Sequence, residues 1–419
     1  MHKKILIFSI LILFLFFGPK KVFAVENPLA VANNIYGIHI LDENDLQDAA
    51  NLVNSNGGDW GYVTLVIRNN ERDTKRWQNV FDQMRRLHLI PIIRIATKQS
   101  DGGWEKPNFD EINGWIGFLN SLNWVVKNRY IVIGNEPNHS KEWGGQVNPI
   151  EYADYLYTFS QKLKSSSGDF FVIPAGFDAS APNSKDTFSE DLFLRQMIEY
   201  KPDIFNYVDG WASHSYPNPN FSGSENAEGR GSVRTYKWEL KFLDSLGIKK
   251  QLPIFITETG WAHDKGDNIN GFKDTSIISD KFKAALEIAW KHERIVAITP
   301  FILNYQSEPF DIFSWKKNDG TFYEIYQEVQ KLPKISGKPT QIAAIDVISL
   351  IFPPLIPSDG YLSGIVLIEN TGQQIWKGTE KIYTENRGHE VTLEPITHRA
   401  DIEPEDRTFA IVKVKLGKN

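Results

Sequence analysis

Two hydrophobic periods alternate along the chain. Short β-branched or aromatic runs occur at residues 35–41, 62–67, 90–96, 130–133, 170–174, 207–213, 254–257 and 295–303. Between them lie stretches with apolar residues at three- and four-residue spacing, as in Arg76-Trp77-Gln78-Asn79-Val80-Phe81. Further helical stretches cover 111–122, 151–163, 191–199, 233–246 and 281–290. Strand-like runs alternating with helices predict parallel βα units. Eight such units predict an α/β protein with one closed (β/α)8 barrel over residues 25–332. An open doubly wound sheet is disfavoured, because no Gly-rich phosphate loop follows the first strand. Residues 333–340, rich in Pro, Gly, Ser and Lys, read as a linker. The rest, 341–419, carries short strand-like runs at 342–351, 362–369, 374–376, 390–393 and 408–414, with turns such as Ser358-Asp359-Gly360. This predicts a small all-β, sandwich-like C-terminal domain. Glu369-Asn370-Thr371-Gly372 before Trp376 has the look of an immunoglobulin-like turn, which suits a structural appendage or a carbohydrate-binding module.

The first 24 residues stand apart. Lys3 and Lys4 precede an apolar run from Ile5 to Phe17, and Val22-Phe23-Ala24 supplies small residues at cleavage positions. That is the pattern of a secretory signal peptide. The run is short for a membrane span, which needs about 20 residues. The protein is therefore expected outside the cell, touching a membrane only if this segment stays attached. The 419 residues include no cysteine, which excludes disulfides, thiolate metal sites and cysteine nucleophiles. A formal charge of −6 without a basic run argues against nucleic-acid binding. Aromatic residues reach 13%, enough for a large core and for sugar-stacking surfaces.

Acids recur where barrel active sites are built, at the C-terminal ends of strands. The fourth strand runs into Gly134-Asn135-Glu136-Pro137, and the seventh into Thr257-Glu258-Thr259-Gly260-Trp261. A carboxylate directly after a buried run costs desolvation free energy unless the site uses it. Two carboxyls converging on one cleft suit glycoside cleavage, in which one protonates the leaving oxygen and the other attacks or activates water. His39, His139, His214 and His263 fall near strand ends, but no metal-ligand spacing accompanies them, so no metal or other cofactor is expected. Asp264 and Asp267 read as a solvated loop rather than a calcium site. Asn138-His139-Ser140 is formally a glycosylation sequon and reads as incidental. Trp104, Trp143, Trp211, Trp261 and Trp315 lie in or beside loops on the same face, with Trp261 the favoured sugar-stacking ring.

Asn135-Glu136-Pro137, Glu258 and Trp211-Ala212-Ser213-His214-Ser215-Tyr216-Pro217 together resemble glycoside hydrolase clan A. These are retaining barrel glycosidases that include the family 5 cellulases and mannanases. The resemblance spans roughly residues 35–332. It implies Glu136 as acid/base, Glu258 as nucleophile and Asn135 as a partner of the sugar 2-hydroxyl. It also implies His214 and Tyr216 as cleft residues, with Tyr216 holding the nucleophile, and Arg68 as the cation on that carboxylate. Two departures stand against family 5 itself. Strand three ends Arg94-Ile95-Ala96-Thr97 without a His, and strand eight ends Asn304-Tyr305 without a Trp. Arg94 either takes the role given to Arg68 or closes an ion pair inside the barrel. The expected activity is retaining hydrolysis of a β-linked carbohydrate by a monomer. The rivals are a carbohydrate-binding barrel without catalysis and a surface protein anchored by residues 1–24.

Overall fold

The computed structural model describes residues 25–100, 102–265, 272–351, 361–377, 382–386, 389–396 and 401–415. The leader at 1–24, Asp267 and the turn at 358–360 lie outside them. Eight βα units follow one another: β1 Gly37–Ile40, α1 Leu46–Val53, β2 Gly61–Arg68, α2 Thr74–Arg86, β3 Leu89–Ala96, α3 Ile112–Ser121, β4 Arg129–Ile133 and α4 Pro149–Ser166. The second half runs β5 Phe170–Pro174, α5 Glu190–Tyr200, β6 Trp211–His214, α6 Thr235–Ser245, β7 Ile254–Glu258, α7 Thr275–Ala284, β8 Ile295–Ile298 and α8 Glu324–Lys331. The strands are buried almost throughout, which is why they read as continuous apolar runs. Three of the eight helix starts, those of α2, α4 and α7, are capped by short polar side chains. Asn148 accepts from the Glu151 amide ahead of Pro149, and Asp73 accepts from the Arg76 amide. Among the described residues no helix is long and apolar enough to cross a membrane.

Rings from non-adjacent strands meet in the lumen. Tyr130 on β4 lies 5.0 Å from Phe171 on β5 and 5.4 Å from Phe255 on β7, centroid to centroid. β4 and β7 are not neighbours, so such a contact exists only if the sheet wraps around it. The expected closed ladder is nevertheless not formed. The strands fall into two parallel arcs, β1-β2-β3-β4-β5 and β8-β7-β6. Single parallel bridges mark the two seams, Tyr36 with Ile298 and Asp178 with His214. At the second seam the Asp209 carboxylate accepts from the Val172 amide and takes the place of a ladder partner. The predicted strand at 207–213 therefore starts only at Trp211.

Beyond α8 the chain forms β9 Ile345–Ile351, β10 Tyr361–Asn370, β11 Ile382–Asn386, β12 His389–Ile396 and β13 Arg407–Lys415. These make one antiparallel sheet in the order β9-β10-β13-β12-β11. A two-residue ladder, Trp376–Lys377 with Asp401–Ile402, accompanies it. Among the described residues the expected second sheet of a sandwich amounts to this short ladder, which faces the five-stranded sheet. Its small core consists of Val366, Ile368, Trp376, Ile402, Ala410 and Val412. The module meets the barrel at the loop before β4, where Gln373 Nε2 donates to the Val126 carbonyl and Asn123 donates to the Gly372 carbonyl. Arg86, at the end of α2, makes a two-pronged pair with Glu403. These contacts lie at the N-terminal ends of the strands, away from the acids.

Candidate active site

The backbone after β4 turns sharply. Gly134 has φ 91° and Glu136 φ 30°, the latter a costly conformation for a residue with a side chain. Two hydrogen bonds hold it, from the Glu136 amide to the Gly176 carbonyl and from the His139 amide to the Glu136 carbonyl. Glu258 ends β7 and is 8% exposed. His214 ends β6 and pairs with Glu258 in the strand register. Gly176 makes room for the imidazole: a Cβ there would sit 2.2 Å from His214 Cδ2.

These turns bring the acids together. His214 Nδ1 donates to Glu136 Oε1 at 2.7 Å and lies 4.0 Å from Glu258 Oε2. Tyr216 donates its hydroxyl proton to Glu258 Oε2 at 3.1 Å. One ligand atom each of Glu136, His214 and Glu258 lies within 4.8 Å of the other two. The electrostatics separate these groups. Burial penalises the Glu258 charge, but the His214 and Arg94 charges and the Tyr216 hydroxyl outweigh it and hold the carboxyl below its usual range. Burial likewise pushes His214 down, yet the Glu258 charge and the bond to Glu136 bring it above the ordinary imidazole value. Burial and the Glu258 charge keep the Tyr216 phenol protonated far into alkali. The same three ligand atoms could hold a cation, which would occupy both carboxylates at once.

Asn135 sits beside Glu136, with its Oδ1 buried and unpartnered. The two arginines part company. Arg68 pairs with Glu71 at 3.2 Å and is 40% exposed at its side chain, whereas Arg94 is buried. Both point from the same face of the sheet, because Arg94 pairs in register with Val66 and Arg68 with Ala96. Arg68 is one pleat further along and clears the rim. Among the described residues neither forms an ion pair with Glu258, so the direct contact expected of Arg68 is absent.

The expectation for Trp261 is corrected. Its ring is 1% exposed, packs 5.0 Å from Phe282 and donates Nε1–H to the Gly223 carbonyl. Three residues past the strand end, it has turned back onto α7. Trp143, Trp211 and Trp315 are buried as well, and Trp104 alone of the five is half-exposed. Asn138 is fully buried with its amide donating to two carbonyls, so the sequon is closed in the folded chain. His139 is bonded to Asp178, and His263 lies between the Ser314 and Asp264 carbonyls.

Two neighbours of the acids escaped sequence reasoning as site residues. His39 lies 4.0 Å from Glu258 Oε1, and burial pulls its pKa down to about 3, so the ring is neutral. Its signal was a lone polar residue inside the apolar run Ile38-His39-Ile40. Glu142, in the loop after Glu136, lies in the field of Arg94, Glu136 and Glu258, and burial pushes its carboxyl up to about 7. Nothing local marks it.

No protein-family model matches the chain, and no curated protein does. Solved structures do match. A glucosidase from Croceicoccus marinus superposes with a TM-score of 0.52 at 10% identity, covering 93% of this chain and 98% of that one. A monomeric β-xylosidase from Caulobacter crescentus CB15 does so with a TM-score of 0.50, also at 10% identity and with the same coverage of 93% and 98%. What such distant sequences share is the fold, and this chain is similar in fold to that glucosidase and that β-xylosidase.

Proposed function

We propose that the protein is an exported glycoside hydrolase that cleaves a β-linked carbohydrate with retention of anomeric configuration. The observation that carries this reading is the approach of Glu136 and Glu258, whose nearest carboxyl oxygens lie within 4.8 Å. Retaining enzymes hold their carboxyls about 5–5.5 Å apart, and inverting ones need about 6.5–9.5 Å to admit a water. In the first step the Glu258 carboxylate attacks the anomeric carbon. The glycosidic C–O bond breaks, and Glu136 passes its proton to the leaving oxygen. In the second step Glu136, now a carboxylate, takes a proton from water while that water's oxygen displaces Glu258. The His214 hydrogen bond occupies Glu136 Oε1. Glu136 Oε2 has no hydrogen bond among the described residues, which supports assigning it the proton for the leaving group. Asn135 is assigned to the sugar 2-hydroxyl, where its unpartnered Oδ1 would find a donor. Residues 1–24 are read as the export signal, which mass spectrometry of the exported chain would find removed.

The test uses a 2-fluoro glycoside with a good leaving group, followed by peptide mapping. The adduct should lie on Glu258. Glu258→Ala should abolish turnover, and azide should restore some of it with inverted product. Glu136→Ala should slow substrates with poor leaving groups far more than activated aryl glycosides. An adduct on another residue would overturn the assignment, and inverted product from the native enzyme would overturn the mechanism.

A further inference from the structure

Beside the acid pair, a cavity of about 190 Å³ opens between the loops that follow β3 and β4. Trp104 and Trp143 contribute to its walls, and Arg94, Asn69, Asn135 and Glu142 supply polar groups. The polar groups are unsatisfied in a consistent way. Arg94 is 8% exposed yet forms no ion pair among the described residues. Its Nε, Asn69 Oδ1 and Asn135 Oδ1 are all buried without a hydrogen-bond partner. A buried guanidinium with no counter-ion in contact is strongly unfavourable. Its planar fork matches a carboxylate better than any neutral group.

Glu142 does not supply that carboxylate. It forms no ion pair with Arg94, and its raised pKa of about 7 leaves it largely a neutral O–H donor in acid solution. The charged groups acting on it are Arg94 from β3, Glu136 after β4 and Glu258 from β7, with Asn135 bonded to it. His139 feels its charge from the same loop. At the rim, Lys106 is taken by Glu151 and Glu111 by Arg72.

The geometry points to a subsite for an anionic sugar: the carboxylate of a uronic acid residue lies on the Arg94 fork, with its hydroxyls donating to Asn69 and Asn135. The half-exposed Trp104 ring offers an apolar wall for the sugar face. A neutral sugar could use the two amide oxygens but would leave the Arg94 fork without a carboxylate in contact, since Glu258 and Glu142 act on it only from a distance. The place of this subsite in a cleaved chain rests on the glycosidase reading, but the binding itself does not.

The experiment is calorimetric titration of the full-length protein with methyl β-glucuronoside and with methyl β-glucoside. The uronoside should bind about ten- to hundredfold more tightly, the worth of a charge-assisted pair. Arg94→Gln should bring the two to equal affinity. Affinity for the uronoside should fall as pH rises through about 7, where Glu142 loses its donor proton. In Glu142→Gln that fall should disappear. Equal binding of the two sugars by the native protein, or no binding of either, would overturn the subsite, even if Arg94→Gln fails to fold. Hydrolysis distinguishes this from the parent reading. Uronoside binding with no cleavage of any oligosaccharide would remove the catalytic assignment and keep the subsite. Cleavage of neutral chains without uronate preference would remove the subsite and keep the catalytic assignment.

Discussion

At the scale of single residues, the site depends on a few side chains that have no alternative position. Tyr216 favours the charged form of Glu258 by donating to it. Tyr216→Phe should therefore move the acid limb of the kcat/KM profile to higher pH and lower the plateau. An unmoved limb would take Tyr216 out of the titration. Gly176 is the second case. An added methyl would meet His214 Cδ2 at 2.2 Å, backed by the rest of the imidazole. Gly176→Ala should shift that ring, costing about 1–3 kcal/mol in stability and about a hundredfold in rate. Chemical denaturation and steady-state kinetics would check both. Glu136 and Glu258 were legible in the sequence, because each directly follows an apolar strand run. Glu142 was not, because its place beside Arg94 depends on the path of a loop that carries no periodicity.

At the scale of elements, α5 and α6 each turn a carboxyl into the core behind β6. Glu190 and Glu239 are fully buried, and among the described residues none of their four carboxyl oxygens has a hydrogen-bond partner. Burial raises both pKa values, and for Glu190 the neighbouring Glu239 charge adds to it; Glu239 is brought to about 7 from an ordinary 4.5. The folded chain thus holds more protons than the unfolded one between those pH values. The contribution of this pair to stability is full below about pH 4.5 and falls as pH rises toward about 7. Thermal unfolding across this window should show the decline, and Glu239→Gln should flatten it while raising the Tm at pH 8. A slope unaltered in Glu239→Gln would place the titrating proton elsewhere. Helix positions were readable from spacing, but this pair was not. Each Glu resembles any polar residue on a helix until a second helix is packed against it.

At the scale of the whole molecule, the C-terminal sheet is tied to the barrel through hydrogen bonds to backbone carbonyls. Gln373 is 5% exposed and spans the junction, donating to the Val126 carbonyl and accepting from the Ile342 amide. Gln373→Ala would strand these groups at a cost of about 1–3 kcal/mol. Because the junction lies at the far ends of the strands, kcat/KM at 25 °C should be unchanged. A parallel loss of activity would mean that the module acts on the cleft.

The order of strands and helices and the places of Glu136 and Glu258 at strand ends were determined by the sequence alone. Period and strand end are local properties, and eight alternating units leave few ways to bury their apolar faces. Tertiary structure decided the rest. It chose Arg94 over Arg68 as the buried cation, since one pleat separates a residue inside the rim from one beyond it. It turned Trp261 into the core and split the ladder at Asp209. It also set Glu142 against Arg94 and Asn135. Each of these depends on which groups meet across the lumen or between loops. Such meetings involve residues far apart in the chain, whose partners are fixed only when the two arcs of strands curl around the lumen.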